Sequence, residues 1–275
     1  MTILEQINSF SDRFGKSVSV NNTTWRYYRL GTGTPILWLT GGMRRAALGF
    51  AFMERLAKCH VVIAPDYPPV QSIGELMSAL DTILRTEGIT TFTLAGQSYG
   101  GMLAQAYLAH KGPAVERLIL SSTGPVSAIG KAWFPVLNVV VALVRILPEK
   151  NVKKLLAGEL LKHINVPPAE RAEWLEIING VMQDDLSRAD AVSHFAVAVD
   201  MLRQGLVAPA AYQHWTGHVI VLSAENDPTQ RKEDLPRYER LFGRPVEVLD
   251  MGSLGHTAAL FSPDQYVELL EQALI

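Results

Sequence analysis

The sequence holds three side chains that together could transfer an acyl group: a serine, a carboxylate and a histidine. Ser98 lies in the stretch 96–100, which reads G-Q-S-Y-G. A serine hydroxyl attacks a carbonyl carbon only when a nearby base takes its proton, and a carboxylate is needed to orient an imidazole in that role. The G-x-S-x-G pattern therefore predicts an acid and a histidine elsewhere in the chain.

The residues around Ser98 predict a strand, a very tight turn and a helix. Residues 92–95 form a short apolar run typical of a buried strand, and apolar residues recur at helical spacing over 102–110. Such a turn strains the serine backbone and brings the residues two before and two after it together, which favours glycine at 96 and 100. The alternative is a glycine-rich turn that carries a solvated serine.

Two carboxylates are candidates for the acid. Glu225 and Asp227 lie just past the apolar run 218–223, which predicts a strand. Asp227 is the preferred residue because it lies further past the end of that strand. The alternative is structural, since an aspartate before a proline, here Pro228, is also an ordinary turn residue.

One histidine follows Asp227 in the sequence. His256 lies in the loop 252–257 after the last predicted strand, and serine, aspartate, histidine is the chain order that this strand–turn–helix scaffold requires. The other histidines are interpreted as surface or boundary residues, although His163 and His194 could line a pocket.

An attacked carbonyl develops a negative oxygen, which two backbone N–H groups can stabilise. One donor is predicted at Tyr99, directly after the serine. The other is predicted at Gly42, in a glycine-containing turn that follows the apolar run 35–39. A simple tight turn is the alternative for Gly42. We also predict that five side chains contact the substrate: Gln97, Arg44, Trp133, Phe134 and Met182. For the apolar ones among them, the alternative is packing in the core.

Strands and helices alternate around these residues. This alternation predicts an α/β fold with a mostly parallel central sheet and helices on both faces, and ligands of such sheets bind at the carboxyl ends of the strands. Between 125 and 213 the sequence predicts helices alone. We therefore assign residues 1–124 and 214–275 to the core and 125–213 to an inserted helical cap. The predicted strands are 16–20, 24–30, 35–39, 60–64, 92–95, 115–121, 218–223 and 245–251.

Arg44 and Arg45 follow the predicted oxyanion turn at the point where a helix should begin, and cations there oppose the helix dipole. The first interpretation is that both are solvated surface residues. The alternative is that Arg44 faces the site. There it would either hold a substrate carboxylate or pair with an acidic residue of the cap, such as Asp184 or Asp185.

Composition limits the class of protein. The 275 residues are 48% hydrophobic and 19% charged, which suits one large domain with an insertion. A net charge of −2 without a basic run argues against a nucleic-acid partner. Cys59 is the single cysteine, which excludes an internal disulfide and fits a cytoplasmic location. Because Cys59 directly precedes a predicted strand, we expect its side chain to be packed. Residues 1–14 do not resemble a secretory signal, and the longest apolar run, 132–144, is too short for a transmembrane segment.

The chain resembles the α/β-hydrolase superfamily over nearly its whole length, at residues 62–66, 96–101, 226–228 and 255–256. The resemblance implies the α/β-hydrolase fold and a serine–aspartate–histidine triad. Ser98 stands where dehalogenases and epoxide hydrolases of the superfamily carry aspartate, which argues against those two activities. No metal-ligand spacing is present, and the triad mechanism needs no cofactor.

The leading interpretation is a serine hydrolase of a small or medium carboxylic ester, a thioester or a lactone, with a small molecule as its substrate. Residues 25–28, 62–68 and 147–148 are also similar to the maspardin-like branch, which implies a non-catalytic interaction protein as one alternative. A carbon–carbon hydrolase or a cofactor-free haloperoxidase on the same triad is another. The sequence does not indicate an oligomeric state.

Overall fold

A computed structural model describes residues 1–128, 133–161, 164, 166–231 and 233–275 of the chain. Each predicted strand is confirmed within one or two residues at either end, except that the last is shorter than predicted. The observed strands are β1 (Gly15–Val20), β2 (Thr23–Leu30), β3 (Thr34–Leu39), β4 (His60–Pro65), β5 (Phe92–Gln97), β6 (Val115–Ser121), β7 (His218–Ser223) and β8 (Glu247–Asp250).

In the described residues the eight strands form one sheet in the order β1-β2-β4-β3-β5-β6-β7-β8. β1 pairs antiparallel with β2, and β2 pairs antiparallel with β4, whereas every later pairing is parallel. The central strand β3 is buried on both faces, with Leu37 and Leu39 on one side and Ile36 and Trp38 on the other. Burial on both faces explains why its sequence is a continuous apolar run rather than an alternating one.

Helices cover both faces of the sheet. One face packs against the helices at 73–86, 99–111 and 234–242, and the other packs against the helices at 3–14, 50–56 and 263–274. This arrangement confirms the predicted α/β class. The helices of the described residues are α1 (Ile3–Phe14), α2 (Phe50–Leu56), α3 (Ile73–Thr86), α4 (Tyr99–Lys111), α5 (Trp133–Ile146), α6 (Glu149–Leu161), α7 (Arg171–Gly180), α8 (Arg188–Gln204), α9 (Pro209–Tyr212), α10 (Asp234–Phe242), α11 (Ala258–Phe261) and α12 (Pro263–Leu274).

Two local predictions differ from the structure. The helix expected to begin at Arg44 and Arg45 begins instead as a 3₁₀ turn, Ala46–Gly49, and becomes α-helical only at Phe50. Cys59 is exposed rather than packed, because it lies in the turn that joins α2 to β4. The N-terminal residues form helix α1. Thr2 and Glu5 cap its first turn reciprocally, since the side chain of each accepts the backbone N–H of the other.

Helices α5 to α9 all lie between β6 and β7, in the segment 125–213 predicted as a cap. α8 is fixed to the core by two of its side chains: Ser193 Oγ accepts the N–H of Val70, and Asp200 accepts the N–H of Ile73. α5 and α6 pack on α8 through a small apolar cluster that includes Val144, Val152 and Val192. The division into a core and a cap domain stays a prediction, and His163 lies outside the described residues.

Over the described part of the chain, no helix combines the length and the apolarity that crossing a membrane requires.

Candidate active site

Ser98 lies at the junction of β5 and α4, in a tight turn. The turn requires glycine both two residues before and two residues after the serine. Its backbone has φ 54° and ψ −118°, and its N–H donates to the carbonyl of Ser121 over 2.9 Å. A Cβ atom at Gly96 would lie 2.4 Å from the Gly100 carbonyl oxygen, and one at Gly100 would lie 1.9 Å from the Leu39 carbonyl oxygen. The predicted need for glycine on both sides of Ser98 is confirmed.

Ser98, His256 and Asp227 form a hydrogen-bonded chain. The Nε2 atom of His256 is 3.0 Å from Ser98 Oγ, and its Nδ1 atom is 3.0 and 3.1 Å from the two Asp227 carboxylate oxygens. Asp227 lies in the turn after β7, and His256 lies in the loop between β8 and α11. The structure thus brings together three residues that are far apart in the sequence, in the arrangement that their order predicts.

The charge on Asp227 determines which imidazole nitrogen carries the proton. Burial would raise the pKa of its carboxyl, but hydrogen bonds from His256 and Thr229 outweigh burial and lower that pKa to about 2. Because an ionised carboxylate can only accept, the proton of a neutral His256 ring lies on Nδ1. Nε2 is then free to accept the proton of the Ser98 hydroxyl.

Thr229 is a member of this site that the sequence analysis did not single out. Its backbone N–H donates to Asp227 Oδ1 over 2.8 Å, and its hydroxyl lies 2.7 Å from the same oxygen and 2.9 Å from the Ser122 carbonyl. An aspartate that accepts the N–H two residues further on is an ordinary Asx turn. The spacing of Asp227, Pro228 and Thr229 was therefore a usable signal.

Further hydrogen bonds hold the loops of the site against one another. Gln97, directly before Ser98, donates its side-chain amide to the carbonyl of His256 over 2.9 Å. Asn226 donates its side-chain amide to the carbonyl of Ser253, next to the turn that carries Asp227. Glu225 is exposed, and only its backbone N–H joins this network, by donating to Gly252. The structure therefore places Asp227, and not Glu225, on the imidazole.

Gly42 and Tyr99, the predicted oxyanion donors, line a common cavity with Ser98. The imidazole of His194, from α8, stacks on the Tyr99 ring with centroids 4.0 Å apart and planes at 24°. A Cβ atom at Gly42 would lie 3.3 Å from His194 Cε1, so this ring also faces the turn that carries Gly42. Burial, and secondarily the positive charge of Arg44, lower the pKa of His194 to about 3, which leaves the ring neutral at ordinary pH.

Three cavities meet at Gly42. The largest of the three, about 650 Å³, extends from Ser98 toward α5 and α8 and is lined by Trp133, one of the predicted substrate contacts. A second, about 200 Å³, contains Gln97 and His256, and a third, also about 200 Å³, contains Met182. Among the described residues predicted to contact substrate, Phe134 lines none of these three. Substrate contact by the others stays a prediction.

Arg44 is buried, and its interpretation as a solvated surface residue is wrong. Its guanidinium donates to the carbonyls of Tyr67 and Pro68, and also to Ser193 Oγ on α8 over 3.0 Å. Its acidic partner is Asp190, with Nε and Oδ1 3.5 Å apart, rather than Asp184 or Asp185. Arg44, two residues after Gly42, is therefore fixed to a helix of the inserted segment.

Arg45 is half-buried, so it is not fully solvated either. Its guanidinium donates to the backbone carbonyl of Asp185 over 3.0 Å and lies 4.0 Å from Asp190 Oδ1. Both arginines thus face the inserted helices, which explains why they are found where a helix dipole disfavours them.

The fold and this site define a class of protein. Residues 31–269 match the sequence pattern of the alpha/beta hydrolase family, and the chain belongs to that family. No curated protein sequence gives a significant match.

Solved structures of several hydrolases share the fold. A variant of a candidate epoxide hydrolase from Pseudomonas aeruginosa has a TM-score of 0.74 at 18% identity, over 94% of this chain and 95% of that one. A candidate lipase from Acinetobacter baumannii has a TM-score of 0.71 at 18% identity, over 99% of this chain and 95% of that one. A haloalkane dehalogenase variant from Bradyrhizobium elkanii has a TM-score of 0.66 at 15% identity, over 94% of this chain and 95% of that one. Likeness at these identities concerns the fold alone.

Proposed function

We propose that the protein is a serine hydrolase that cleaves a small or medium carboxylic ester, a thioester or a lactone through an acyl-enzyme intermediate. The observation that carries this proposal is the continuous hydrogen-bonded chain from Asp227 through His256 to Ser98, with distances of 3.0 Å on each side of the imidazole. Such a chain is the arrangement that makes a serine hydroxyl nucleophilic.

The first half of the reaction forms the acyl-enzyme. Ser98 Oγ bonds to the ester carbonyl carbon while its proton passes to His256 Nε2, and Asp227 stabilises the imidazolium that results. The backbone N–H groups of Gly42 and Tyr99 would donate to the negative oxygen of the tetrahedral intermediate. When the intermediate collapses, the carbon–oxygen bond to the alcohol breaks and the departing alcohol takes the proton from His256.

The second half returns the free enzyme. A water molecule gives a proton to His256 Nε2 and bonds to the acyl carbon. The bond to Ser98 Oγ then breaks, Oγ regains the proton from His256, and the acid is released.

Two features support ester cleavage over aspartate-dependent hydrolysis and over a non-catalytic role. Serine at position 98 supports it over the dehalogenase and epoxide hydrolase reactions that the resemblance associates with aspartate there. The ordered contacts among Ser98, His256 and Asp227 support an active enzyme over a non-catalytic interaction protein. The cavity of about 650 Å³ beside Ser98 provides space for a small or medium acyl group.

The proposal is tested with Ser98→Ala, a fluorophosphonate label and a series of p-nitrophenyl esters of increasing acyl length. We expect the substitution to abolish labelling and to reduce ester hydrolysis by roughly a thousandfold or more, because residues of such a chain act as a unit. Circular dichroism should show an unchanged fold. Ser253→Ala, at an exposed serine of the His256 loop, is the matched control. Full hydrolysis by the Ser98→Ala protein would reject the serine mechanism.

A further inference from the structure

Helix α5 is apolar on nearly every side. Of its fourteen residues, Asn138 and Arg145 are the two with polar side chains. Val141 and Val144 are buried on the side that faces the rest of the molecule. A helix without a polar face is normally enclosed by protein or by lipid.

The outer side of α5 is nevertheless exposed. Four of its large apolar residues are spaced three, four and three positions apart, which places them on one face of the helix. We call these four residues the α5 outer face. The exposed fractions are 46% for Val136, 57% for Val139, 44% for Leu143 and 75% for Ile146. A continuous exposed apolar stripe of this kind marks an interaction surface.

The charges carried by α5 and α6 indicate the kind of partner. Residues 125–148 contain no aspartate or glutamate, and residues 133–161 contain four basic residues against two acidic ones, although the whole chain carries −2. On α6, Lys150 and Lys154 are exposed, and Leu155 beside them is 62% exposed. An apolar helix face next to lysines and an arginine is the composition that binds anionic lipid surfaces.

The length of α5 fits a helix that lies along a membrane. Fourteen residues span about 21 Å, which is less than the roughly 30 Å of hydrocarbon that a crossing helix must cover. The same helix also reaches the candidate active site. Trp133, in its first turn, is 57% exposed and lines the cavity that contains Ser98.

We propose that the α5 outer face docks on the surface of anionic phospholipid membranes, so that the cavity opens beside Trp133 toward the lipid. The substrates are then lipophilic esters that partition into the bilayer. This second statement rests on the proposed ester hydrolysis, whereas the docking itself does not.

Docking is tested by flotation of the full-length protein with vesicles of phosphatidylcholine and phosphatidylglycerol at 7:3, and with vesicles of phosphatidylcholine alone. We expect the protein to float with the anionic vesicles and to do so less at high salt. A Val139→Glu/Ile146→Glu double variant should bind at least about tenfold more weakly. Leu4→Glu is the matched control, since Leu4 is also a large apolar residue, 51% exposed, but belongs to α1 and not to α5.

Equal flotation of the wild type and the double variant would overturn the docking proposal. So would an absence of vesicle binding combined with self-association that the double variant abolishes, because the α5 outer face would then join two copies of the chain. Neither Val139 nor Ile146 belongs to the candidate active site, so hydrolysis of a water-soluble butyrate ester reports whether the double variant is folded.

The substrate statement is tested with a long-chain ester incorporated in the same vesicles. We expect the double variant to lose at least about tenfold of its rate on this ester and to keep its rate on the soluble butyrate ester. Equal losses on both esters would contradict the substrate statement. Flotation of the Ser98→Ala protein separates the two proposals, because docking should persist whether or not Ser98 is the nucleophile.

Discussion

His194 and Tyr99 stack face to face, with ring centroids 4.0 Å apart. Tyr99 directly follows Ser98, whereas His194 belongs to α8 in the segment inserted between β6 and β7. The inserted segment therefore contacts the residue whose N–H is a predicted oxyanion donor. Because burial lowers the pKa of His194 to about 3, the contact brings a neutral ring, and not a second cation beside Arg44, to the site.

Gly42→Val is expected to lower kcat by roughly a hundredfold, the typical effect of losing one oxyanion donor. A Cβ atom there would already lie 3.3 Å from His194 Cε1, so a valine must displace either the ring or the turn. Steady-state kinetics on a soluble ester checks this. Combining the substitution with His194→Ala should restore part of kcat if the ring is the obstacle. An unchanged kcat in the single variant would show that Gly42 is not a donor.

Asp227→Asn is expected to reduce kcat by roughly a thousandfold or more, because an amide can stabilise the wrong imidazole tautomer. Glu225→Gln serves as the control and should remain near the wild-type rate, since Glu225 is exposed and joins the network only through its backbone. The opposite ranking of the two variants would identify Glu225 as the acid.

Asp227 should also make stability depend on pH in a defined window. Its pKa is lowered to about 2 in the folded protein, compared with about 3.9 for an unperturbed aspartate. A depressed pKa stabilises the folded state above the unfolded value, and that contribution is lost as pH falls from about 4 to about 2. Urea unfolding across this window should show a steeper loss of unfolding free energy for the wild type than for Asp227→Asn. Parallel curves would contradict the assignment.

Thr229→Val is expected to lower kcat by roughly tenfold and to leave KM nearly unchanged. The hydroxyl 2.7 Å from Asp227 Oδ1 would be lost, while the backbone N–H bond would remain. Thr229→Ser keeps the hydroxyl and should recover most of the rate. If the serine variant were as slow as the valine variant, the effect would come from packing and not from the hydrogen bond.

Arg44→Ala is expected to destabilise the protein by about 3–5 kcal/mol, because it removes the nearer of the two cations that face the buried Asp190 carboxylate and leaves Arg45, 4.0 Å away, as the other. Since the guanidinium donors are engaged by the protein, neutral and acidic esters should be affected alike. Arg45→Ala, at the half-buried neighbour, should cost less. A rise in KM confined to acidic esters would show instead that Arg44 binds a substrate carboxylate.

The sequence alone predicted the sheet, and it also predicted the three residues that meet at Ser98. Both depend on local patterns: apolar runs set the strands, and the glycines around Ser98 set the turn. The position of His256 followed from the required order along the chain. Once the strand order is known, these loops must meet at one edge of a parallel sheet.

The residues that the sequence did not predict depend on how the inserted helices pack. The first interpretation of Arg44 as exposed rests on the general preference of arginine for the surface. Its partners Asp190 and Ser193 are on α8, about 150 positions away in the sequence, and no pattern near Arg44 indicates them. The stacking of His194 on Tyr99 has the same origin, since it requires the position of one whole helix.

β6 and β7 pair directly, from Arg117 opposite His218 to Ser121 opposite Leu222, although α5 to α9 separate them in the chain. The sheet register therefore does not depend on the inserted helices, which can diverge without shifting Ser98. On α5, Leu137 lines the cavity beside Ser98 while Ile146 faces outward. If the proposed docking and ester hydrolysis hold, exchange of this one helix would therefore alter at once which acyl groups the cavity admits and which lipid surface the protein binds.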